Sequence, residues 1–408
     1  MLGLRRLGAA AAALLCLLSA ITSGASAVGA AASPISNLTF GRPPTNLANH
    51  QVGSILRSRS IDAEVLGLPL GSWATEILFR SVDAQGQPSA DITTVLVPKT
   101  PWRGPGTRPI VSYQTAEDGL GVACAPSNAL QVGLQAATSN AELETIDIAA
   151  VLAQGWAVIT TDYEGPSSEF LDGPQEGYAV LDGIRAALAA HPHGLSPRAR
   201  LAMWGYSGGG FATAWAIKLR SSHAPGLRVT AVALGDTPSD LATTMRNVDG
   251  GYGFGLVFGG FVGIDRGDPS AHLSSLLNAR GRAAMMQSEA ACTVPLLAEF
   301  AFQRLASYTT SAHPFDTPAL KSALAANSLA SITTSAPVYD YHTTTDELVP
   351  VRVANTFVAK SCAAGDRIQV VRTPLNTHIT EQLVGAPGAI QFLARRFSGA
   401  PVVDNCPN

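Results

Sequence analysis

Short apolar runs punctuate the 408-residue chain, bounded by Gly, Pro, Asn or Asp. Seven of them (residues 92–97, 109–113, 156–161, 200–204, 229–234, 338–341 and 368–371) read as strands. Several are solidly apolar and do not alternate, the pattern of a strand covered on both faces. Helical periodicity fills the intervals: residues 142–152, residues 176–190 with Leu181, Ile184 and Leu188 on one stripe, and residues 208–219. Strands that alternate with helices predict a mostly parallel sheet with helices on both faces. The alternation fails over residues 237–335, where Gly-rich apolar pieces and helical pieces, residues 320–326 among them, predict a mainly helical cap over the sheet. The expected organisation is a leader 1–27, an N-terminal extension 28–75 with few clear elements, and a core in two parts, 76–236 and 336–408, with the cap 237–335 inserted between them.

The leader bears on compartment. Arg5 and Arg6 precede an apolar run at residues 9–21, and Ala25-Ser26-Ala27 offers small residues for cleavage. This is the layout of a secretory signal, with the mature start near Val28. Its loss removes two arginines and no acids, so Lys+Arg falls from 27 to 25 against 30 Asp+Glu and the net charge moves from −3 to −5. Mild acidity disfavours anionic membranes, and the lack of any basic run argues against a nucleic-acid partner. The longest later apolar stretch, residues 251–264, falls short of the roughly 20 residues a bilayer requires, so no transmembrane segment is expected after cleavage. Cys16 leaves with the signal. The remaining Cys124, Cys292, Cys362 and Cys406 suggest two disulfides, by any of three pairings. No Cys-x-x-Cys or His–Cys cluster is present, so no metal is expected.

Gly205-Tyr206-Ser207-Gly208-Gly209 joins the strand candidate 200–204 to the helix candidate 208–219. That context predicts a nucleophile elbow, a sharp turn presenting the serine hydroxyl at the end of the sheet of an α/β-hydrolase. Glycines at 205 and 209 clear side chains that would collide there, and the helix N-terminus adds positive partial charge. A serine nucleophile needs a base, and the base needs an acid to fix its tautomer. In this fold the chain order is Ser, acid, His. Of the eight histidines, His378 leaves room for an acid on an earlier strand end. Asp346 fits as that acid, in the loop 342–350 after strand 338–341, whereas Asp340 lies within the strand. The Gly208 amide is one expected donor to the oxyanion. The second comes from the loop 114–119, where spacing does not choose between Gln114 and Asp118. A carboxylate would repel an oxyanion, so Asp118 would act through its backbone N–H. These residues predict ester hydrolysis through an acyl-enzyme on Ser207. The same centre suits acyl transfer to an alcohol. Peptide hydrolysis lacks a charged specificity pocket, and a non-catalytic binding protein is at odds with a complete triad.

Further short motifs run through the mature chain: Ser112-Tyr113-Gln114 with Glu117-Asp118, Cys124-Ala125-Pro126-Ser127, Asp162-Tyr163-Glu164-Gly165, Leu181-Asp182-Gly183-Ile184-Arg185-Ala186, Asp346-Glu347-Leu348-Val349-Pro350 and Thr377-His378. With the Ser207 pentapeptide, they make the chain resemble the secretory lipases of the Candida antarctica lipase A type. The resemblance implies an α/β-hydrolase core with a helical cap, no cofactor, and a lipid or small ester as substrate. It implies a triad of Ser207, Asp346 and His378, and an oxyanion hole from Asp118 and Gly208. It also implies disulfides Cys124–Cys292 and Cys362–Cys406. Residues 251–264 would then line an acyl tunnel, through Phe254, Leu256, Val257, Phe258 and Phe261. The chain departs from the prototype by ending soon after Cys406, which shortens the C-terminal tail and flap.

Overall fold

In the computed structural model, residues 39–133 and 138–406 are described, so the leader 1–27 lies outside the described residues. Nine strands form one sheet: β1 (Ile55–Ile61), β2 (Ser72–Val82), β3 (Pro88–Pro98), β4 (Ile110–Gln114), β5 (Ala157–Thr161), β6 (Leu201–Tyr206), β7 (Val229–Gly235), β8 (Val338–Thr343) and β9 (Ile368–Thr373). Their order is β1-β2-β3-β5-β4-β6-β7-β8-β9. From β5 onward every neighbouring pair is parallel, and β1, β2 and β3 add an antiparallel edge. β4, β5 and β6 are buried along their whole length, as expected of mainly apolar strands covered by helices on both faces.

All seven expected strands are present, the first widened to β3. Two more were not expected. β1 lies within the N-terminal extension, and β2 spans its end. The reason is chemical. β2 carries Glu76 and Arg80 inside its buried run, and Glu76 is fully buried against Arg59 of β1 at 2.6 Å. Charges in those places hide a strand from an apolar-run criterion.

The helices are α1 (Pro126–Val132), α2 (Asn140–Ala153), α3 (Gly173–Ala190), α4 (Ser207–His223), α5 (Leu241–Val248), α6 (Phe254–Gly267), α7 (Ala279–Gln287), α8 (Thr293–Phe300), α9 (Pro318–Ala326), α10 (Val351–Ala363) and α11 (His378–Phe397). α3 and α4 contribute to the larger apolar core on one side of the sheet, and α2 and α11 to a second core on the other. The helices α5 to α9 all fall between β7 and β8. Their apolar faces join the larger core without a break, which makes the inserted segment one body with the sheet. Disulfides join Cys124 to Cys292 and Cys362 to Cys406. The first ties the loop after β4 to the N-cap of α8. The second ties α10 to the C-terminal tail. Among the described residues no helix is long and apolar enough to cross a membrane.

Candidate active site

The carboxyl ends of β4, β6, β7 and β8 lie in register. Gln114 pairs with Gly205, Tyr206 with Gly235, and Gly235 with Tyr341. The loops leaving these strands carry Asp118, Ser207 and Asp346, and the β9–α11 connection brings up His378. Ser207 is the first residue of α4 and has φ 51°, a left-handed conformation that a serine rarely adopts. The turn is so tight that a Cβ on Gly205 would overlap the Gly209 carbonyl, and one on Gly209 the Gln114 carbonyl. Only glycine fits at either place, so the spacing in the motif follows from sterics.

His378 Nε2 lies 2.8 Å from Ser207 Oγ, and its Nδ1 lies 2.7 Å from Asp346 Oδ2. The ring starts α11, where Thr377 and Thr380 form a reciprocal capping box that fixes the entry of the helix. The other Asp346 oxygen accepts from the Leu348 and Val349 amides, both at 2.8 Å. Burial pushes Asp346 up, but the charge and hydrogen bond of His378 outweigh it and hold the carboxyl below its usual range. Burial pushes His378 down, and Asp346 overturns this by charge and hydrogen bond, so the ring stands at about 9. Each partner stabilises the charged form of the other.

On the opposite side of β6, Asp118 takes φ 46° and its Oδ2 accepts from Asn140 at 3.3 Å. Its carboxyl covers Gly208 so closely that a Cβ there would strike Oδ1. Burial lifts it to about 6, with Asn140 and His378 opposing. The Asp118 amide is engaged with buried Glu164, which also accepts from the Gly119 amide at 3.4 Å. In this arrangement the carboxyl of Asp118 faces Gly208 and the backbone N–H faces away, opposite to the backbone role expected from sequence. The Gln114 side chain is turned into the sheet. In the orientation that satisfies both of its atoms, it accepts from Ser112 Oγ at 2.8 Å and donates to Thr213 Oγ1 at 3.1 Å.

A cavity of about 50 Å³ opens beside Ser207 and His378, lined by Leu241, Met245, Val248, Leu256 and Val257. Leu256 and Val257 were expected there. Phe254, Phe258 and Phe261 were expected too, but they do not line this cavity. All three are buried in the cap core, where Phe258 stacks on Phe300 at 4.8 Å and Phe254 on Tyr308 at 5.8 Å. Spacings of four and three residues put them on one stripe of the helix, and that stripe meets α8. A larger cavity of about 290 Å³, lined by Arg42, Asp91, Glu117 and Asp162, includes neither Ser207 nor His378 and is not the reaction centre.

Sequence reasoning missed Asp236, directly after β7. Its Oδ2 lies 3.7 Å from His378 Nδ1, and its Oδ1 lies 3.2 Å from Nδ1 of buried His342. The available signal was an acid following a mainly apolar strand next to the nucleophile strand. With Asp346, the pair Asp236 and His342 makes the one cluster of metal-ligand spacing among the described residues. The donor atoms are engaged within the protein, His342 Nε2 with the Val349 carbonyl at 2.8 Å and Asp346 as given above. We do not read them as metal ligands.

A family model for secretory lipases matches residues 130–405. The chain belongs to the secretory lipase family. It is 31% identical over 387 residues to lipase A of Arthroderma benhamiae, covering 91% of this chain and 82% of the relative. A protein of Mycobacterium tuberculosis named a probable inactive lipase is 32% identical over 371 residues, covering 89% of this chain and 82% of that one. The crystal structure of Candida antarctica lipase A in its closed state superposes with a TM-score of 0.84 at 28% identity, over 92% of this chain and 89% of that one. As a secretory lipase the protein has the α/β-hydrolase fold and is a hydrolase of lipid esters.

Proposed function

We propose that this protein is a secreted serine hydrolase that cleaves carboxylic esters, acylglycerols among them, through an acyl-enzyme on Ser207. Ser207 Oγ attacks the ester carbonyl. His378 takes the serine proton at Nε2 and returns it to the leaving alcohol, while Asp346 holds Nδ1–H and the positive charge that develops on the ring. The oxyanion is assigned to the Gly208 amide at the N-terminus of α4, and to Asp118 only through its carboxyl in the protonated form, since its N–H is engaged with Glu164. Water, activated by the same His378, then releases the acid. The observation that carries this reading is the unbroken chain of short contacts from Ser207 through His378 to Asp346. The same chain weighs against a non-catalytic reading. Export is supported by the leader and by two disulfides, which persist in oxidising compartments. We assign residues 28–75 as an N-terminal extension, 76–236 with 336–408 as the hydrolase core, and 237–335 as the cap.

The cavity beside Ser207 is small, about 50 Å³. Its walls come largely from α5 and α6. Substrate length is therefore set by the cap. Hydrolysis of p-nitrophenyl esters from acetate to palmitate, with and without an acceptor alcohol, tests the reading. Wild type is expected to turn over and Ser207→Ala to lose activity by about 10⁴-fold or more. Retained turnover in that variant removes Ser207 from the mechanism. Acyl product on the alcohol in place of free acid reassigns the protein as an acyltransferase.

A further inference from the structure

Asp236 stands at the end of β7, behind the imidazole of His378, and five titratable side chains surround it. They are Tyr206 from β6, Tyr341 and His342 from β8, Asp346 from the loop after β8, and His378 from α11. One contact places a proton on it, and a second disfavours its charge. The Tyr206 hydroxyl is 2.5 Å from Asp236 Oδ2 and also 2.5 Å from the His378 carbonyl oxygen. Tyr206 has one proton, and a carbonyl oxygen only accepts. With that proton on the carbonyl, the second short contact needs its proton from Asp236. On the other side, His342 Nε2 lies 2.8 Å from the Val349 carbonyl, so it is the donor there. Burial keeps this ring neutral, down at about 4, which leaves Nδ1 a bare acceptor facing Asp236 Oδ1 at 3.2 Å. Oδ1 accepts from the Thr343 amide at 3.1 Å and makes no hydrogen bond to His342 Nδ1, so a charged carboxylate would face that lone pair with greater repulsion than a neutral carboxyl.

We propose that Asp236 is a second acid of the site, neutral in the intact protein, which braces the His378–Asp346 pair and replaces Asp346 as the partner of His378 when that carboxylate is lost. It is a positioning residue, and the proposal rests on the Ser207–His378–Asp346 reading. The chemistry follows from like-charge exclusion, since two carboxylates this close to one imidazolium do not both ionise in a buried site. Burial and the Asp346 charge push Asp236 up to about 9, against the pull of His378. Removing Asp346 deletes that charge. Asp236 then releases its proton to solvent and, 3.7 Å away, takes up Nδ1–H of His378 after a small shift of the ring.

The test is the pH profile of kcat/KM on p-nitrophenyl butyrate for wild type, Asp236→Asn, Asp346→Ala, Asp346→Ala with Asp236→Asn, and Ser207→Ala. Asp346→Ala is expected to keep at least about tenfold more activity than the double variant, an advantage that grows as pH rises and Asp236 ionises. Asp236→Asn alone is expected to lose about threefold to tenfold with the acid limb of its profile unmoved, because a neutral group replaces a neutral group. Equal activities of Asp346→Ala and the double variant at every pH overturn the reserve role. An acid limb displaced by a full unit in Asp236→Asn overturns the neutral state. Asp346→Asn, close in shape, takes the place of Asp346→Ala should the latter fail to fold by circular dichroism. Wild-type turnover in Ser207→Ala is a separate outcome, which would refute the triad itself.

Discussion

Two groups of buried carboxylates flank the nucleophile strand, one after β7 and β8 and the other after β4 and β5. In the first, Asp346 is held below its usual range because His378 supplies a positive charge within hydrogen-bond reach. In the second, Glu117, Glu144, Glu164 and Glu176 stand well above theirs, chiefly through burial. Among the described residues none of these four forms a salt bridge with a basic side chain. They serve backbone donors instead. Glu144 accepts from the Ala116 amide at 3.1 Å, Glu117 from Tyr163 at 2.8 Å and Glu176 from Leu171 at 2.9 Å. Their partners pin the loop that carries Asp118 and the turns beside it. Asp346 is built for charge and the second group for shape, and the imidazole of His378 makes the difference.

Breaking the charged side has the largest expected effect. His378→Ala removes the base and is expected to lower kcat/KM by about 10³-fold or more, measured on a soluble p-nitrophenyl ester. The pH dependences of activity and stability then separate the two groups. Activity requires neutral His378, which Asp346 pushes up to about 9, so kcat/KM is expected to climb through the neutral range and level off on the alkaline side. Stability runs the other way. Asp162 and Asp172 rise from 3.8 to about 7 on folding, and Asp147 to about 6, so the folded state binds their protons more tightly than the unfolded chain. Their contribution is full below about 4 and is lost as pH rises to about 7. A falling Tm between those values by calorimetry is the expected result, and a Tm that rises across the window would remove the distinction. The smallest effect is a substitution on the shape side. Glu164→Gln imitates the protonated acid, and is expected to raise Tm by a few degrees at pH 8 and leave it unchanged at pH 4.

The charged side was legible in the sequence and the shape side was not. Chain order forced His378, and the steric need for Gly205 and Gly209 singled out Ser207. The sheet was legible where its strands are purely apolar. Asp236 escaped because it directly precedes the inserted segment and has the appearance of the first polar residue of a loop. The second group escaped for a different reason. α2 turns Glu142, Glu144 and Asp147 inward while Leu143 and Ile146 are exposed, so its polarity is the reverse of an ordinary surface helix. The loop after β4 needs acceptors for its buried amides, and that demand exists only once the chain has folded. For the same reason Phe254, Phe258 and Phe261 suited a tunnel as well as a core. Which stripe of α6 faces Ser207 is decided by the packing of α8 and not by the residues themselves.

The most direct measurement is covalent trapping with a p-nitrophenyl alkylphosphonate, which imitates the tetrahedral state and stays on the nucleophile it meets. Wild type is expected to release one equivalent of p-nitrophenol per chain, with the added mass on the peptide that contains Ser207 and none on the Ser207→Ala protein. Label on another residue, or equal labelling of the Ser207→Ala protein, would contradict the account.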